Sequence, residues 1–216
     1  MPIKIDLHVH TYHSADCSAG LEEIIAHSRR RGLDGIAITD HDTVEGALKF
    51  LEIDCDGLII IPGIEVSTVA GHILGINITS PIPAGLPVEE TVRRIHDAGG
   101  IAVAAHPSAV YKKGIGINEE IASQGIDAVE GINSSVFPFF LLTYLSRRLA
   151  SRTGLPQIGG SDSHTPETVG LAYTIIENVG KDAEVEEIIN AIKEGRCIPH
   201  GRPFPWRVRI RRLYGD

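Results

Sequence analysis

The chain has 216 residues, 43% of them hydrophobic and 22% charged, which suits one packed domain with extensions and excludes a disordered or collagen-like polymer. No apolar run approaches the ~18 residues that span a bilayer, the amino terminus lacks a signal-peptide core, and three cysteines without a CxxC argue against disulfides or a thiolate zinc site, so a cytoplasmic protein is expected. The net charge of −8 is unevenly spread, with +4 on residues 201–216 and −12 on the rest, and ten histidines accompany that acidic body, a composition that suits divalent cations better than polyanions.

Residues 3–9 (IKIDLHV) read as a strand, and 21–32 as a helix with Leu21, Ile24 and Ile25 on one face and Gly32 as its stop. GIAIT at 35–39 predicts a second strand and 44–53 a helix. LIIIP (58–62) and IEVSTV (64–69) predict strands divided at Gly63, and HILGI (72–76) follows. VEETVRRIHDAG (88–99) reads as a helix ending in glycine, and IAVAAH (101–106) as a buried strand. The alternation continues through DAVEGIN (127–133), a helix around 138–152, PQIGGSD (156–162), AYTIIE (172–177) and a helix over 184–194. Strands alternating with helices predict a parallel sheet, and enough of them close a barrel. The expected fold is therefore a barrel-like α/β domain with a short basic appendage, whose WRVRIRRLYGD alternates apolar residues with arginine and reads as an edge strand or an interaction tail.

The polar residues fall where these strands end. His8 and His10 close the first strand two residues apart and therefore on one face. Asp40, His41 and Asp42 end the second, Glu65 lies in the third unit, and His72 opens the next strand. His106 follows the strand at 101–105, and Asp162 with His164 follows that at 156–160. Any one of these histidines alone is more often a hydrogen-bonded structural residue than a ligand. Six on one rim would each carry a desolvation penalty unless paired, and in α/β barrels catalytic groups come from several strand ends. Imidazole and carboxylate without thiolate suit zinc, manganese or iron, and the ligands are too many for one tetrahedral ion. A carboxylate such as Glu65 could bridge two ions with its two oxygens.

The motifs DLHVHT (6–11), ITDHDT (38–43), PGIEVS (62–67), GHILG (71–75), AHP (105–107) and GSDSH (160–164) resemble, in order and spacing, those of the PHP (polymerase and histidinol phosphatase) family. The resemblance spans residues 3 to about 200, with 201–216 as the appendage. It implies a distorted (β/α)7 barrel with two or three divalent metal ions. The implied reaction is hydrolysis of a phosphomonoester or small phosphodiester by metal-activated hydroxide. It makes His8, His10, His41, Glu65, His72, His106, Asp162 and His164 ligands, and adds Asp16 from the SADCS loop. Asp40 and Asp42 would orient His41 and its neighbours. Lys112, Lys113 and Arg202 are candidates for holding a phosphate, although a solvated surface charge is the commoner role for each. Only 33 residues separate His72 from His106, which leaves little or no lid over a nucleobase. A nucleotide, a sugar phosphate or histidinol phosphate are the implied substrates, and five arginines beside Trp206 and Tyr214 are a weak nucleic-acid signal. The rivals are an amidohydrolase, for which no lysine ends a suitable strand, and a non-catalytic module stabilised by metal.

Overall fold

The structure, a computed structural model, describes residues 2–55, 57–116 and 118–214, with side chains as far as Arg211. The strands are β1 (Ile3–Val9), β2 (Gly35–Ile38), β3 (Ile59–Ser67), β4 (His72–Ile76), β5 (Ile101–Ala104), β6 (Ala128–Asn133), β7 (Gln157–Gly160), β8 (Ala172–Ile176) and β9 (Cys197–Gly201). The helices are α1 (Leu21–Arg30), α2 (Glu45–Leu51), α3 (Val88–Asp97), α4 (Glu119–Ala122), α5 (Phe139–Thr153), α6 (Val185–Lys193) and α7 (Trp206–Tyr214). All nine strands form one sheet in the order β7-β6-β5-β4-β3-β2-β1-β8-β9. Its two ends approach each other: Asp162 N–H donates to the His8 carbonyl (2.8 Å), His10 N–H to the Ser163 carbonyl (3.0 Å), and Gly159 N–H to Thr174 Oγ1 (2.8 Å). The result is a nearly closed α/β barrel. Among the described residues no helix is long and apolar enough to cross a membrane.

The sheet is mixed, which corrects the expectation of a parallel one. β1–β2, β2–β3, β5–β6 and β6–β7 pair in parallel, whereas β4 runs against both of its neighbours and β8 against β1 and β9. The reversal of β4 carries a consequence for the site. His72 starts an antiparallel strand, and so lies at the same rim as the ends of the parallel strands around it. The two apolar runs around Gly63 form one strand, because this glycine supplies close approach and no turn. A β-carbon there would stand 2.7 Å from the carbonyl oxygen of Gly75 on β4. β9 was not anticipated, since Pro199 and His200 interrupt its apolar pattern.

The main core gathers Ile3, Ile5, Ile76, Ile101 and Ala128 at the end of the barrel opposite the histidines, where Ile188, Ile189 and Ile192 of α6 pack. The stretch expected as an edge strand or tail is helix α7. Its alternation carries too few apolar positions to fix a period of two. Val208 instead inserts with Phe204 against Leu171, and the Arg209 guanidinium donates to the carbonyls of Ser134, Ser135 and Val136. The Tyr214 side chain and residues 215–216 fall outside the described part of the chain.

Asp6 is a buried brace across the barrel seam. Its carboxyl accepts from the backbone N–H of Ser161 (2.8 Å), Gly170 (2.8 Å) and His8 (3.3 Å), and burial lifts its pKa to about 6 against the pull of those bonds. Asp6→Ala strands three buried donors, each worth about 1–3 kcal/mol. Urea denaturation is expected to show a loss of about 3 kcal/mol or more. A loss under 1 kcal/mol would mean that water replaces the carboxyl.

Candidate metal centre and active site

Five imidazoles surround one carboxylate at the barrel rim. Glu65, fully buried in β3, has Oε1 at 3.0 Å from both His72 Nδ1 and His106 Nε2. Its Oε2 lies 3.1 Å from His41 Nδ1 and 3.3 Å from the Nε2 atoms of His8 and His10. Asp162 joins from the end of β7, with Oδ1 at 3.5 Å from His10 Nε2 and from His164 Nδ1 and 3.8 Å from His8 Nε2. Asp16 closes the outer side, 3.1 Å from His164 Nε2 and 3.8 Å from His41 Nε2. Seven of the nine residues expected as ligands thus line one cavity of about 520 Å³, and His8 and His10 lie buried against Glu65 and Asp162 in its wall. Strain accompanies them. Asp42, His106 and Asp162 have positive φ, which non-glycine residues adopt where the surroundings impose it.

The ring orientations follow from groups behind them. Glu130 Oε1 accepts from His8 Nδ1 (3.0 Å), so His8 presents its Nε2 lone pair to the cavity. Ser14 Oγ donates to Asp40 Oδ1 (2.7 Å) and accepts from His10 Nδ1 (3.1 Å), which presents Nε2 of His10 likewise. His164 Nδ1 donates to the Asp162 carbonyl (3.1 Å). Asp40 therefore acts on the His10 ring through Ser14, and reaches His41 only through the bond from its backbone N–H to that same hydroxyl (3.0 Å). Asp42 accepts from Ser67 N–H (2.7 Å) and ties down the end of β3. Gly160 permits the arrangement, since a β-carbon there would meet His8 Cβ at 2.3 Å and Glu130 Oε1 at 2.7 Å.

Charge inside the barrel sets the protonation. Burial alone would depress the His8 imidazole, but Glu130, Glu65 and Asp162 hold it well above its ordinary value. Burial likewise favours neutral Glu65 and Asp162. The imidazoles around Glu65, and Lys112 with His8 beside Asp162, keep both carboxyls well below the usual range. A hydrogen bond from His164 lowers Asp16.

The donor set fits divalent cations. His8 and His10 turn their Nε2 atoms toward each other at 3.1 Å, and with both Nδ1 atoms donating the two lone pairs oppose each other, an arrangement that a cation or proton between them would relieve. Glu65 Oε2, His72 Nε2 and His106 Nδ1 are buried without a hydrogen-bond partner. Such atoms are rarely left orphaned unless something else satisfies them. Three groupings, His10–His41–His164, His8–His10–Asp162 and His41–Glu65–His72, each bring three ligand atoms within 4.8 Å. They offer imidazole and carboxylate without sulfur, the chemistry of zinc, manganese or iron.

Of the candidate phosphate-holding cations, Lys112 and Lys113 line the cavity, while Arg202 lies at a separate one beside Arg30 and Arg31. The Lys112 ammonium donates to Asp162 and to Ser135 Oγ (2.6 Å). His13 lies 3.4 Å from Glu45, and the Cys17 thiol donates to the His164 carbonyl (3.3 Å).

Sequence reasoning missed Glu130, fully buried in β6. Beyond His8, its Oε2 accepts from the His106 backbone N–H (2.7 Å) and Asn133 Nδ2 (2.9 Å), so one carboxylate fixes the His8 ring and the main chain that carries His106. The available signal was a single charge inside an otherwise apolar strand, where an unpaired carboxylate would be prohibitive. Glu130→Gln is expected to weaken metal binding about 10- to 100-fold, read by competition with a chelating dye. Unchanged affinity would show that the ring needs no carboxylate behind it.

Comparison with known proteins agrees with this geometry. The model of the PHP domain matches residues 6–136, and that described as PHP-associated matches 144–197. An uncharacterized protein of Methanocaldococcus jannaschii is 32% identical over 143 residues, covering 61% of this chain and 82% of its relative. The 5'-3' exoribonuclease Rnm of Escherichia coli is 38% identical over 106 residues, 45% of this chain and 36% of that enzyme. A crystal structure from Bacteroides vulgatus, described as a two-domain protein containing a predicted PHP-like metal-dependent phosphoesterase, superposes with a TM-score of 0.72 at 18% identity. That match covers 94% of this chain and 65% of the other. With one family model matching more than half of its length, and with the histidine and carboxylate motifs converging as described, the chain belongs to the PHP domain family.

Proposed function

We propose that this protein is a metal-dependent phosphoesterase that hydrolyses a phosphomonoester or a small phosphodiester at a site of two or three divalent ions. The observation that carries the reading is the ring of five imidazoles around Glu65, with its orphaned lone pairs facing an open cavity. Zinc, manganese or iron held there would supply Lewis-acid polarisation of phosphoryl oxygens and a water acidic enough to attack at neutral pH. Glu65 turns one oxygen to His72 and His106 and the other to His8, His10 and His41, so each oxygen would be available to ions held among those imidazoles. Glu130 and the Asp40–Ser14 pair hold the His8 and His10 rings so that the lone pairs need no reorganisation when substrate arrives. Lys112 and Lys113 bring positive charge to the cavity wall and can hold the non-reacting phosphoryl oxygens. The partial likeness to the E. coli exoribonuclease supports a phosphoester substrate.

The test is a panel of phosphomonoesters, dinucleotides and short RNA, assayed with Mn²⁺, Zn²⁺ and Fe²⁺ added to metal-stripped protein. Metal-dependent release of phosphate or of a phosphorylated product is expected. An inert protein across the panel, or turnover of a cyclic amide without any phosphoester, would overturn the reading. Loss of two lone pairs from the ring by His8→Ala with His10→Ala should abolish the activity while leaving the far-UV circular dichroism nearly unchanged.

A further inference from the structure

An aromatic cleft opens beside the metal cavity, assembled from segments far apart in sequence. Its walls are Phe137 and Phe140 from the start of α5, and Phe204 and Trp206 from the start of α7, with Arg209 between them; its volume is about 370 Å³. Three of these rings are unusually bare: Phe137 is 50% exposed, Trp206 67% and Phe140 78%. Phe137 and Trp206 meet edge to face at 5.5 Å, and the Arg209 guanidinium sits 5.3 Å from the Phe137 ring centre. No carboxylate lines the cleft among the described residues.

Two links join the cleft to the metal centre. Tyr111 lines the metal cavity, and its hydroxyl accepts from the backbone N–H of Phe137 (2.6 Å), whose ring lines the cleft. Ser135, whose hydroxyl donates to Asp162 Oδ2 (2.7 Å), lies two residues before Phe137, and Arg209 clamps the carbonyls between them. Bare rings in a groove with an arginine are the physical elements of a base-stacking platform, because every base offers a π-face and every linkage a negative charge. The charge lining the cleft points the same way: Arg209 supplies a positive group, and no acidic side chain joins it in the lining among the described residues.

We infer that this cleft stacks the base next to the scissile phosphate, which makes a single-stranded oligonucleotide end the substrate class of the proposed phosphoesterase. The inference rests on that function for its chemistry, but the cleft residues are distinct from the metal ligands.

Trp206 is the only tryptophan of the chain and sits in the cleft, so its fluorescence reports occupancy without any turnover. Metal-stripped protein is titrated with a four-nucleotide adenylate, with ribose 5-phosphate and with inorganic polyphosphate. Saturable quenching by the tetranucleotide alone is expected. Phe137→Ala, and independently Phe140→Ala, should each weaken it about five- to hundredfold, the loss of one stacked partner. No quenching, equal quenching by polyphosphate, or an unchanged dissociation constant in both variants overturns the inference. So does sedimentation showing a dimer that either variant dissociates, which would give the cleft to a second copy of the chain. Hydrolysis of ribose 5-phosphate or other base-free esters by metal-loaded protein is measured separately. Base-free esters are expected to turn over far more slowly than the tetranucleotide; quenching by the tetranucleotide without its metal-dependent hydrolysis would count against the phosphoesterase reading while leaving the binding result intact.

Discussion

Glu65→Gln is expected to lower phosphoesterase turnover by about a thousandfold or more, equivalent to roughly 4 kcal/mol of transition-state stabilisation. The effect is large because the substitution acts twice. One carboxylate neutralises a ring of five imidazole nitrogens within 3.0–3.3 Å, and both of its oxygens are turned to different members of that ring. An amide keeps the shape but loses the charge, and its NH₂ group must face imidazole nitrogens that also require an acceptor. Metal content of the purified variant, measured by elemental analysis beside kcat, separates the causes. Fewer ions per chain together with lost turnover is the expected result. Full metal content with near-normal kcat would remove Glu65 from the centre of the mechanism.

Stripping the metals should have the second largest effect, on activity and on the fold together. Glu65, Glu130, Asp162 and Asp40 lie buried near one another, and Lys112 is the lysine paired with that set. Ions bound at a thousand times their dissociation constant stabilise the folded state by about 4 kcal/mol. For a chain of this size that is a fall in Tm of about 8–16 °C on chelation. Differential scanning calorimetry before and after dialysis against a chelator, with stoichiometric Mn²⁺ or Zn²⁺ restored, measures it. Turnover should vanish and return with the same ions. An unchanged Tm would mean that the ring balances its charges by proton uptake alone, starting with His8, which its carboxylate neighbours already hold above the ordinary imidazole range.

The convergence of the candidate ligands was legible in the sequence because they fall at or just beyond strand ends. Residues two apart on a strand share a face, so His8 with His10 declared their direction without any tertiary information, whereas Asp162 and His164 lie past the end of β7, where the left-handed backbone at Asp162 sets their direction. The second row of groups was less readable. Glu130 carries no motif, and only its burial beneath His8 and His106 shows what it does. Asp40 acts on His10 through a serine from another loop, a three-residue relay that no spacing encodes. Arg202 carries the charge a phosphate needs, yet the chain folds it into a different cavity.

By itself the sequence determined the alternation of strands and helices, the rim that gathers the histidines and carboxylates, and the choice of nitrogen and oxygen donors over sulfur. Those properties are local, set by side-chain period and residue type. Only the tertiary structure decided that β4 runs antiparallel and so delivers His72 to the same rim, that Gly63 makes a close crossing and no turn, and that WRVRIRRLY is a helix. It alone also brings Phe137 against Trp206, 69 residues later in the chain, to form the aromatic cleft beside the site. Strand direction and ring-to-ring contact depend on which distant segments bury each other's surface, and that is a property of the whole packed chain.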